Sequence, residues 1–176
     1  MIFNPTPIPG VWLIEPERHE DERGFFARTW CQREFEERGL NSNLAQCSTS
    51  FSKVAGTLRG IHYQLAPHAE TKLVRCTRGS IYDVALDLRP SSDTFCRWFS
   101  IELTQSNHTM LYIPAGVAHG FQTLSDDTEV FYQISEFYHS ESSHGVRWND
   151  PAFRIRWPIS HPLLSPRDAS YPDFKP

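Results

Sequence analysis

The sequence contains no apolar run that approaches the roughly 20 residues of a membrane-spanning helix. It also has no large excess of one charge, because 17 Lys and Arg stand against 21 Asp and Glu, for a net charge of -4. Dedicated nucleic-acid binders carry basic patches and a positive charge, so we expect no nucleic-acid partner and no membrane. The start MIFNPTPIPG has neither region of a secretion signal, and a cytoplasmic protein is therefore expected.

Cysteine pairs are missing as well. Cys31, Cys47, Cys76 and Cys96 are widely spaced and form no CxxC motif, which indicates reduced thiols rather than a disulfide framework or a zinc site. There is no low-complexity linker and no internal repeat. A chain of 176 residues is the length of one ordinary domain, so we predict a single domain over residues 1–176.

Aromatic residues and turn formers are abundant, with 13% aromatics and 13 prolines beside 9 glycines. From about residue 44 the apolar residues recur with a period near two, which is typical of strands. The predicted strands lie near 44–51, 57–64, 71–77, 80–88, 96–104, 109–113, 119–124 and 128–137. This pattern predicts a mainly β jelly roll, with an immunoglobulin-type sandwich as the alternative.

Outside these strands, one short helix is predicted from residue 29 or 30 to Arg38, with Phe35 in apolar contact and Gly39 as its stop. Prolines are concentrated near both chain ends. They indicate an N-terminal arm over about residues 1–15 and a C-terminal segment over about residues 158–176, both packed on the barrel.

The stretch TLRGIHYQLAPHAETKLVRC places a possible base and several cations on strands that otherwise look like core. Lys72 and Arg75 occupy opposite faces of one strand, so one of the two faces inward and lines a polar cavity, unless its stem only covers apolar surface. Arg59 and His62 would point to opposite faces of a regular strand. A bulge at Gly60 would bring both into one cavity; otherwise His62 is a hydrogen-bonded core residue.

Further polar side chains share faces with apolar ones. In IYDVALDLRP, Asp83 and Asp87 alternate with apolar residues, and a half-buried carboxylate needs a hydrogen-bonded cation such as an imidazole. Tyr132 in EVFYQISEFY shares a face with Val130 and Ile134. Its hydroxyl therefore needs a partner inside a cavity, or it is a satisfied core tyrosine.

The segment MLYIPAGVAHGFQTL contains Pro114, Gly116 and His119 in the PxGxxH pattern of the second motif of cupin barrels. Metal-binding cupins usually add an HxH pair from a first motif. Here His62 is followed by Gln64 at the second position of that pair, so the usual metal shell is incomplete. We expect no catalytic metal.

Taken together, the blocks DERGFF, GTLRGIHYQ, KLVRC, GSIYDVALDLR, IPAGVAHGF, VFYQISEFY, GVRWNDPAFRIRWP and LLSPRDA resemble the dTDP-4-dehydrorhamnose 3,5-epimerase family over roughly residues 10–170. The resemblance implies a double-stranded β-helix, that is, a cupin-like jelly roll with one or a few short helices. It also implies epimerisation of a nucleotide-linked 4-keto-6-deoxy sugar without a cofactor. A homodimer is implied too, with the N-terminal segment reaching the partner near its site.

The resemblance also implies catalytic roles. His62 would be the base, with Asp168 as its carboxylate partner and Asp83 as a further support. Lys72 would stabilise the enolate oxygen, and Tyr132 would return a proton from the opposite face of the sugar. A base, an electrophile and an acid are what inversion next to a ketone requires.

The resemblance to the family is less complete at the positions that would bind the nucleotide. By resemblance, the substrate-binding residues are Arg23, Phe25, Phe26, Gln46, Arg59, His119 and Tyr138. Two positions depart from the family pattern, because Arg28 stands where the family has Glu and Ser48 stands where it has Asn. Both positions lie in sequence blocks that, by resemblance, bind the nucleotide. The sequence therefore leaves open whether the nucleotide attached to the sugar is dTDP, CDP or GDP.

Three other functions fit parts of the pattern. A 3,4-ketoisomerase on the same scaffold would use a similar base but move the carbonyl group. A non-catalytic sugar-nucleotide-binding cupin would not need the acid and base residues. A metal cupin such as a dioxygenase would need a complete metal shell.

Overall fold

The computed structural model describes residues 1–175 and contains, within them, thirteen strands and two short helices. The strands, in chain order, are β1 (Ile2–Pro5), β2 (Trp12–Glu15), β3 (Arg18–Asp21), β4 (Gly24–Ala27), β5 (Gln46–Ser52), β6 (Leu58–Gln64), β7 (Lys72–Arg78), β8 (Ser80–Asp87), β9 (Trp98–Thr104), β10 (Met110–Ile113), β11 (Val117–Thr123), β12 (Thr128–Ile134) and β13 (Ser143–Gly145). The helices are α1 (Gln32–Glu36) and α2 (Pro166–Ala169).

Two antiparallel sheets make up the body, which confirms the mainly β jelly roll. One sheet has the order β1-β2-β10-β7-β12-β5, and the other has the order β13-β6-β11-β8-β9. Strands β3 and β4 form a separate hairpin. The main core lies between the two sheets and is built from alternate residues of their central strands, among them Val74, Ala85, Leu111 and Phe121. This alternation is why the period-two pattern of the sequence located the strands.

All eight predicted strands are present with boundaries shifted by a few residues, and sequence analysis missed β1 to β4 and β13. The N-terminal arm is part of the body rather than a free extension. Ile2–Pro5 pairs with β2, and β2 pairs with β10, so residues 1–15 extend a sheet of their own chain. Strand β1 lies at the edge of this sheet, and contact of the N-terminal segment with a partner stays a prediction.

The single helix predicted before residue 44 is present but shorter than expected. Cys31 occupies its N-cap position with an extended backbone and makes no side-chain cap bond, so the helix begins at Gln32 rather than at residue 29 or 30. As predicted, Phe35 is buried, and the helix ends before Gly39. Phe35 packs with Leu73 and Tyr112 on the outer face of the six-stranded sheet.

The C-terminal segment folds back across the other sheet. Leu163 forms a parallel bridge with Thr57, and the side chain of Gln122 bonds both the N–H and the C=O of Ile159. These bonds place α2 beside β6, and Ser165 caps the first turn of α2 by accepting from the N–H of Asp168. Pro176, the last of the C-terminal prolines, lies outside the described residues.

Candidate active site

A cavity of about 660 Å³ opens between the two sheets. It is of the size that small-molecule sites usually have. Nine residues singled out from the sequence line it: Gln46, Ser48, Arg59, His62, Lys72, His119, Tyr132, Tyr138 and Asp168. Most of the proposed chemistry therefore falls on the walls of one cavity.

His62 and Asp168 form a hydrogen-bonded pair on one wall. His62 Nε2 lies 2.6 Å from Asp168 Oδ1, and the Asp168 side chain is only 5% exposed. Burial alone would raise the pKa of Asp168, but the hydrogen bond and the nearby imidazole of His62 hold it below its ordinary value. An ionised carboxylate that accepts from Nε2–H leaves the Nδ1 lone pair of His62 as the basic atom.

The backbone at Gly60 explains how Arg59 and His62 reach the same cavity. The register of β6 against β11 shifts between the His119–His62 pair and the Phe121–Arg59 pair, as the predicted bulge requires. Gly60 has φ of +125°, and a Cβ there would lie 2.5 Å from the Cα of Gly120. Only glycine meets both conditions, so this position fixes the bulge.

Lys72 is the inward-facing cation, and Arg75 faces the other side of β7. Val74 and Cys76, which share the face of Lys72, belong to the core between the sheets, whereas Arg75 lies over the ring of Phe131. Lys72 Nζ is 2.8 Å from Oε1 of Glu70, and both side chains are 12% exposed. Glu70 thus holds the ammonium group at the cavity wall.

Tyr132 lies on β12 of the six-stranded sheet, across the cavity from the sheet that carries His62. Burial, together with the negative charge of Asp83, raises the pKa of Tyr132 well above its ordinary value. Its hydroxyl therefore stays protonated at neutral pH and can donate a proton or a hydrogen bond.

Asp83 contacts His119 rather than His62. His119 Nε2 is 2.7 Å from Asp83 Oδ1, and both residues are buried. The expectation that Asp83 supports His62 is wrong, because β11 lies between β6 and β8 and places His119 next to the carboxylate. Asp83 thus acts on the cavity through His119, whose ring lies edge-on to Tyr132 with centroids 6.0 Å apart.

The second buried carboxylate of β8 has a structural role. Asp87 accepts hydrogen bonds from Arg89, Ser92 and Thr94, at 2.8, 2.6 and 2.6 Å respectively. Burial would raise the pKa of Asp87, but these bonds lower it far below its ordinary value. The residue stabilises the turn that follows β8 and is absent from the cavity wall.

Four predicted substrate-binding residues do not line the cavity of their own chain. They are Arg23, Phe25, Phe26 and Arg28, and all four are exposed. Arg23 pairs with Asp21 within the β3–β4 hairpin, and Arg28 pairs with Glu34 of α1. Phe26 is 74% exposed, which is unusual for a phenylalanine.

A sequence model of the family described as dTDP-4-dehydrorhamnose 3,5-epimerase matches residues 5–176 of the chain. The protein belongs to this family. This match confirms the resemblance drawn from the sequence.

Relatives in the dTDP-4-dehydrorhamnose 3,5-epimerase family are similar over almost the whole chain. A curated dTDP-4-dehydrorhamnose 3,5-epimerase of Sinorhizobium fredii is 43% identical over 175 residues, which cover 99% of this chain and 90% of the relative. The crystal structure of such an epimerase from Elizabethkingia anophelis has a TM-score of 0.96 at 40% identity, covering 99% and 96% of the two chains. One from Bacillus anthracis, with TDP and PPi bound, has a TM-score of 0.95 at 39% identity, covering 98% and 99%.

Sequence analysis missed two charged residues on the cavity wall of this family member, Glu70 and Arg167. Both stand beside residues that were found, Glu70 two positions before Lys72 and Arg167 one position before Asp168. Arg167 donates to the hydroxyl of Tyr171 and to Oγ of Ser143, each at 2.9 Å. Their neighbours in the sequence could have pointed to them, but strand periodicity gives no direction for a side chain in the loop before β7 or in α2.

The Tyr171 ring packs closely against a second glycine, Gly145. Gly145 pairs with His62 in the β13–β6 register, and a Cβ at position 145 would collide with the ring of Tyr171. The Tyr171 ring lies edge-on to His62, with centroids 6.2 Å apart. Gly145 therefore allows the C-terminal segment to pack directly against the candidate base.

Proposed function

We propose that this protein is a cofactor-independent epimerase that inverts C3, C5 or both in a nucleotide-linked 4-keto-6-deoxyhexose. The observation that carries the proposal is the placement of a His62–Asp168 pair on one wall of the cavity and of Lys72 and Tyr132 on the facing sheet. A base and a protonated acid on opposite walls fit a reaction that removes a proton from one face of a sugar and returns one to the other.

In this mechanism Nδ1 of His62 takes the proton from the carbon beside the ketone. The electron pair of the broken C–H bond moves into the enolate, and the negative charge develops on O4. Lys72 stabilises that charge, as a fixed donor aimed at a developing oxyanion should. Asp168 stabilises the imidazolium that forms, and it keeps the ring in one tautomer throughout.

Inversion is completed from the other wall. Tyr132 donates its hydroxyl proton to the carbanion carbon, the electron pair of the enolate forms the new C–H bond, and the C4 ketone is restored. The raised pKa of Tyr132 fits this role, because the group must be protonated before it acts. The product and the substrate have the same oxidation state, so no redox partner enters the balance.

The nucleotide part of the substrate fits the polar rim of the cavity, formed by its exposed lining residues. Arg59 and Arg167 are two cations suited to a diphosphate, and Arg59 is held in place by Ser52 Oγ and the carbonyl of Phe51. Tyr138 is 58% exposed and offers an aromatic face to a base.

We further propose that the protein is a homodimer in which the β3–β4 hairpin serves the partner's cavity. The support is that Arg23, Phe25 and Phe26 lie on an exposed hairpin, away from the cavity of their own chain. Exposed aromatic residues beside an arginine are typical of a buried interface. The proposed enzyme acts in the cytoplasm and supplies a deoxysugar for a cell-surface polysaccharide or a glycosylated metabolite.

Co-expression of two inactive variants tests the shared site. Arg23→Ala disables the donated hairpin, and His62→Asn disables the catalytic wall. If the hairpin serves the partner, a mixed dimer contains one intact site and regains activity that neither variant has alone. Absence of recovery in a purified mixed dimer, or a monomer by light scattering at micromolar concentration, would contradict the proposal.

Incubation with dTDP-4-keto-6-deoxyglucose in heavy water tests the reaction itself. We expect deuterium at C3, C5 or both, detected by proton NMR, and a much faster label at one carbon would identify a mono-epimerase. The CDP and GDP counterparts of the sugar test the carrier, which Arg28 and Ser48 leave open. If no substrate takes up deuterium at either carbon, the proposed activity is wrong.

Carbon NMR spectra of the same incubations separate the epimerase from the alternative functions. A 3,4-ketoisomerase would move the carbonyl from C4 to C3, which changes the carbon chemical shifts of both positions. A non-catalytic binding protein would bind the nucleotide sugar in calorimetry but leave its spectrum unchanged.

No helix among residues 1–175 is long and apolar enough to cross a membrane.

A further inference from the structure

Outside the cavity wall, two histidines and a glutamate meet between two loops. His68 belongs to the loop after β6, and Glu136 and His139 belong to the loop after β12. Their nearest ligand atoms all lie within 4.8 Å of one another, and within residues 1–175 this is the one such group of three. The proposed epimerase mechanism uses none of these residues.

A single buried amide holds the backbone of both loops. Gln64 is 3% exposed; its Nε2 donates to the carbonyls of His68 and Phe137 at 2.9 and 3.0 Å, and its Oε1 accepts from the N–H of His139 at 2.7 Å. The backbones that carry the two histidines are thus held next to each other before any ligand arrives. Such preorganisation lowers the entropy cost of binding.

The hydrogen bonds of the cluster leave ligand atoms free. His139 Nδ1 is 3.2 Å from Oε1 of Glu141, an arrangement that orients a ring and leaves Nε2 available, as in many metal-bound histidines. Glu136 accepts the N–H of Phe137 on Oε1, which leaves its other oxygen available. Two imidazoles and one carboxylate form a donor set that zinc accepts readily, whereas calcium and magnesium prefer oxygen ligands.

Metal binding requires one of the two histidine rings to leave the stack that the rings form. The His68 and His139 rings are stacked, with centroids 3.5 Å apart and planes 10° apart, and a metal must lie close to the plane of each ring it binds. At bond lengths of about 2.0–2.2 Å, tetrahedral ligand atoms lie roughly 3.3 Å apart. Rotation of one imidazole about its side-chain bonds supplies this approach without moving the loops that Gln64 holds.

We propose that His68, Glu136 and His139 bind one divalent transition-metal ion, with zinc as the expected ion, which links the two loops beside Tyr138. The chain supplies three donors, so the ion keeps at least one water ligand. Because Tyr138 is adjacent to His139 and lines the cavity, an ion here would restrain that part of the rim.

Calorimetric titration of the untagged full-length protein with zinc chloride tests the site. We expect one equivalent of zinc per chain, with binding weakened at least about tenfold in His68→Gln and in His139→Gln. His161→Gln is the matched control, because His161 is exposed and bonded only to Ser160. It should bind zinc as the parent does.

Cobalt supplies an independent readout that does not involve turnover. Bound at the site, it should give a visible absorption band that both cluster variants lose, while the far-ultraviolet circular dichroism of metal-free parent and variants stays the same. The proposal is overturned if the parent binds zinc no more tightly than a His68→Gln/His139→Gln double variant, or if either single variant binds like the parent. Neither result bears on the epimerase reaction.

Discussion

His62 Nε2 lies 2.6 Å from Asp168 Oδ1, although the two residues are 106 positions apart in the sequence. The contact exists because the C-terminal segment crosses the five-stranded sheet and brings α2 beside the middle of β6. One wall of the cavity is therefore completed by a segment that is far from β6 in the sequence.

Asp168→Asn should lower kcat about 10²- to 10⁴-fold with little change in KM, because an amide neither stabilises the imidazolium nor fixes the tautomer of His62. Steady-state kinetics on the 4-keto sugar nucleotide checks this. Ser165→Ala is the control, since it removes the cap of α2 but keeps the carboxylate. It should lose far less activity, and an Asp168→Asn variant with parental kcat would remove Asp168 from the mechanism.

Glu70→Gln should reduce kcat by about 10- to 100-fold, with a smaller effect on KM. Glutamine keeps the shape of the side chain but removes the ion pair that holds Lys72 Nζ, and misplacement of a catalytic group is costly. Glu102→Gln, a change on an exposed strand position, serves as the comparison. Equal kcat values in the two variants would show that Lys72 needs no fixed partner.

Gly145→Ala should impair catalysis through Tyr171. The new methyl group collides with the Tyr171 ring, and that ring is linked to α2 through Arg167. We expect kcat to fall and the double variant Gly145→Ala/Tyr171→Ala to recover part of it, because the second change removes the collision. A double variant whose losses simply add would contradict this account.

Asp87→Asn should destabilise the fold by about 3 kcal/mol at neutral pH, because it weakens a buried charged network without touching the cavity. The pKa of Asp87 is lowered on folding, so its contribution is complete above the unfolded pKa of about 3.9 and is lost as the pH falls below that value. Urea unfolding should show the gap between parent and variant shrinking from about pH 5 to pH 3. A constant gap would mean that folding does not lower the pKa of Asp87.

The sequence predicted the central strands because each alternates between a core face and another face, as Val74 and Leu73 do in β7. It missed β1 and β2 because prolines obscure the pattern there, and β3 because all four of its residues are exposed. Strand pattern already singled out His62, Tyr132 and one of Lys72 and Arg75 as candidates, and the family resemblance added Asp168 and the roles. The partner of Asp83 depends on which strands are neighbours in the sheet, and strand order cannot be read from periodicity.

The local sequence pattern also could not predict where Arg23 and Phe26 lie in the fold. Their block resembles a nucleotide-binding motif, and the structure puts it on an exposed hairpin. Which chain's cavity it serves depends on assembly.

The central claim is that His62 and Tyr132 act on opposite faces of the sugar, and proton NMR of two variants in heavy water tests it most directly. Tyr132→Phe should still exchange hydrogen for deuterium beside the ketone, because His62 removes the proton and returns a solvent deuteron to the same face, but inversion should be lost. His62→Asn should show neither exchange nor inversion. Inversion at the parental rate in Tyr132→Phe, or exchange at the parental rate in His62→Asn, would contradict the account.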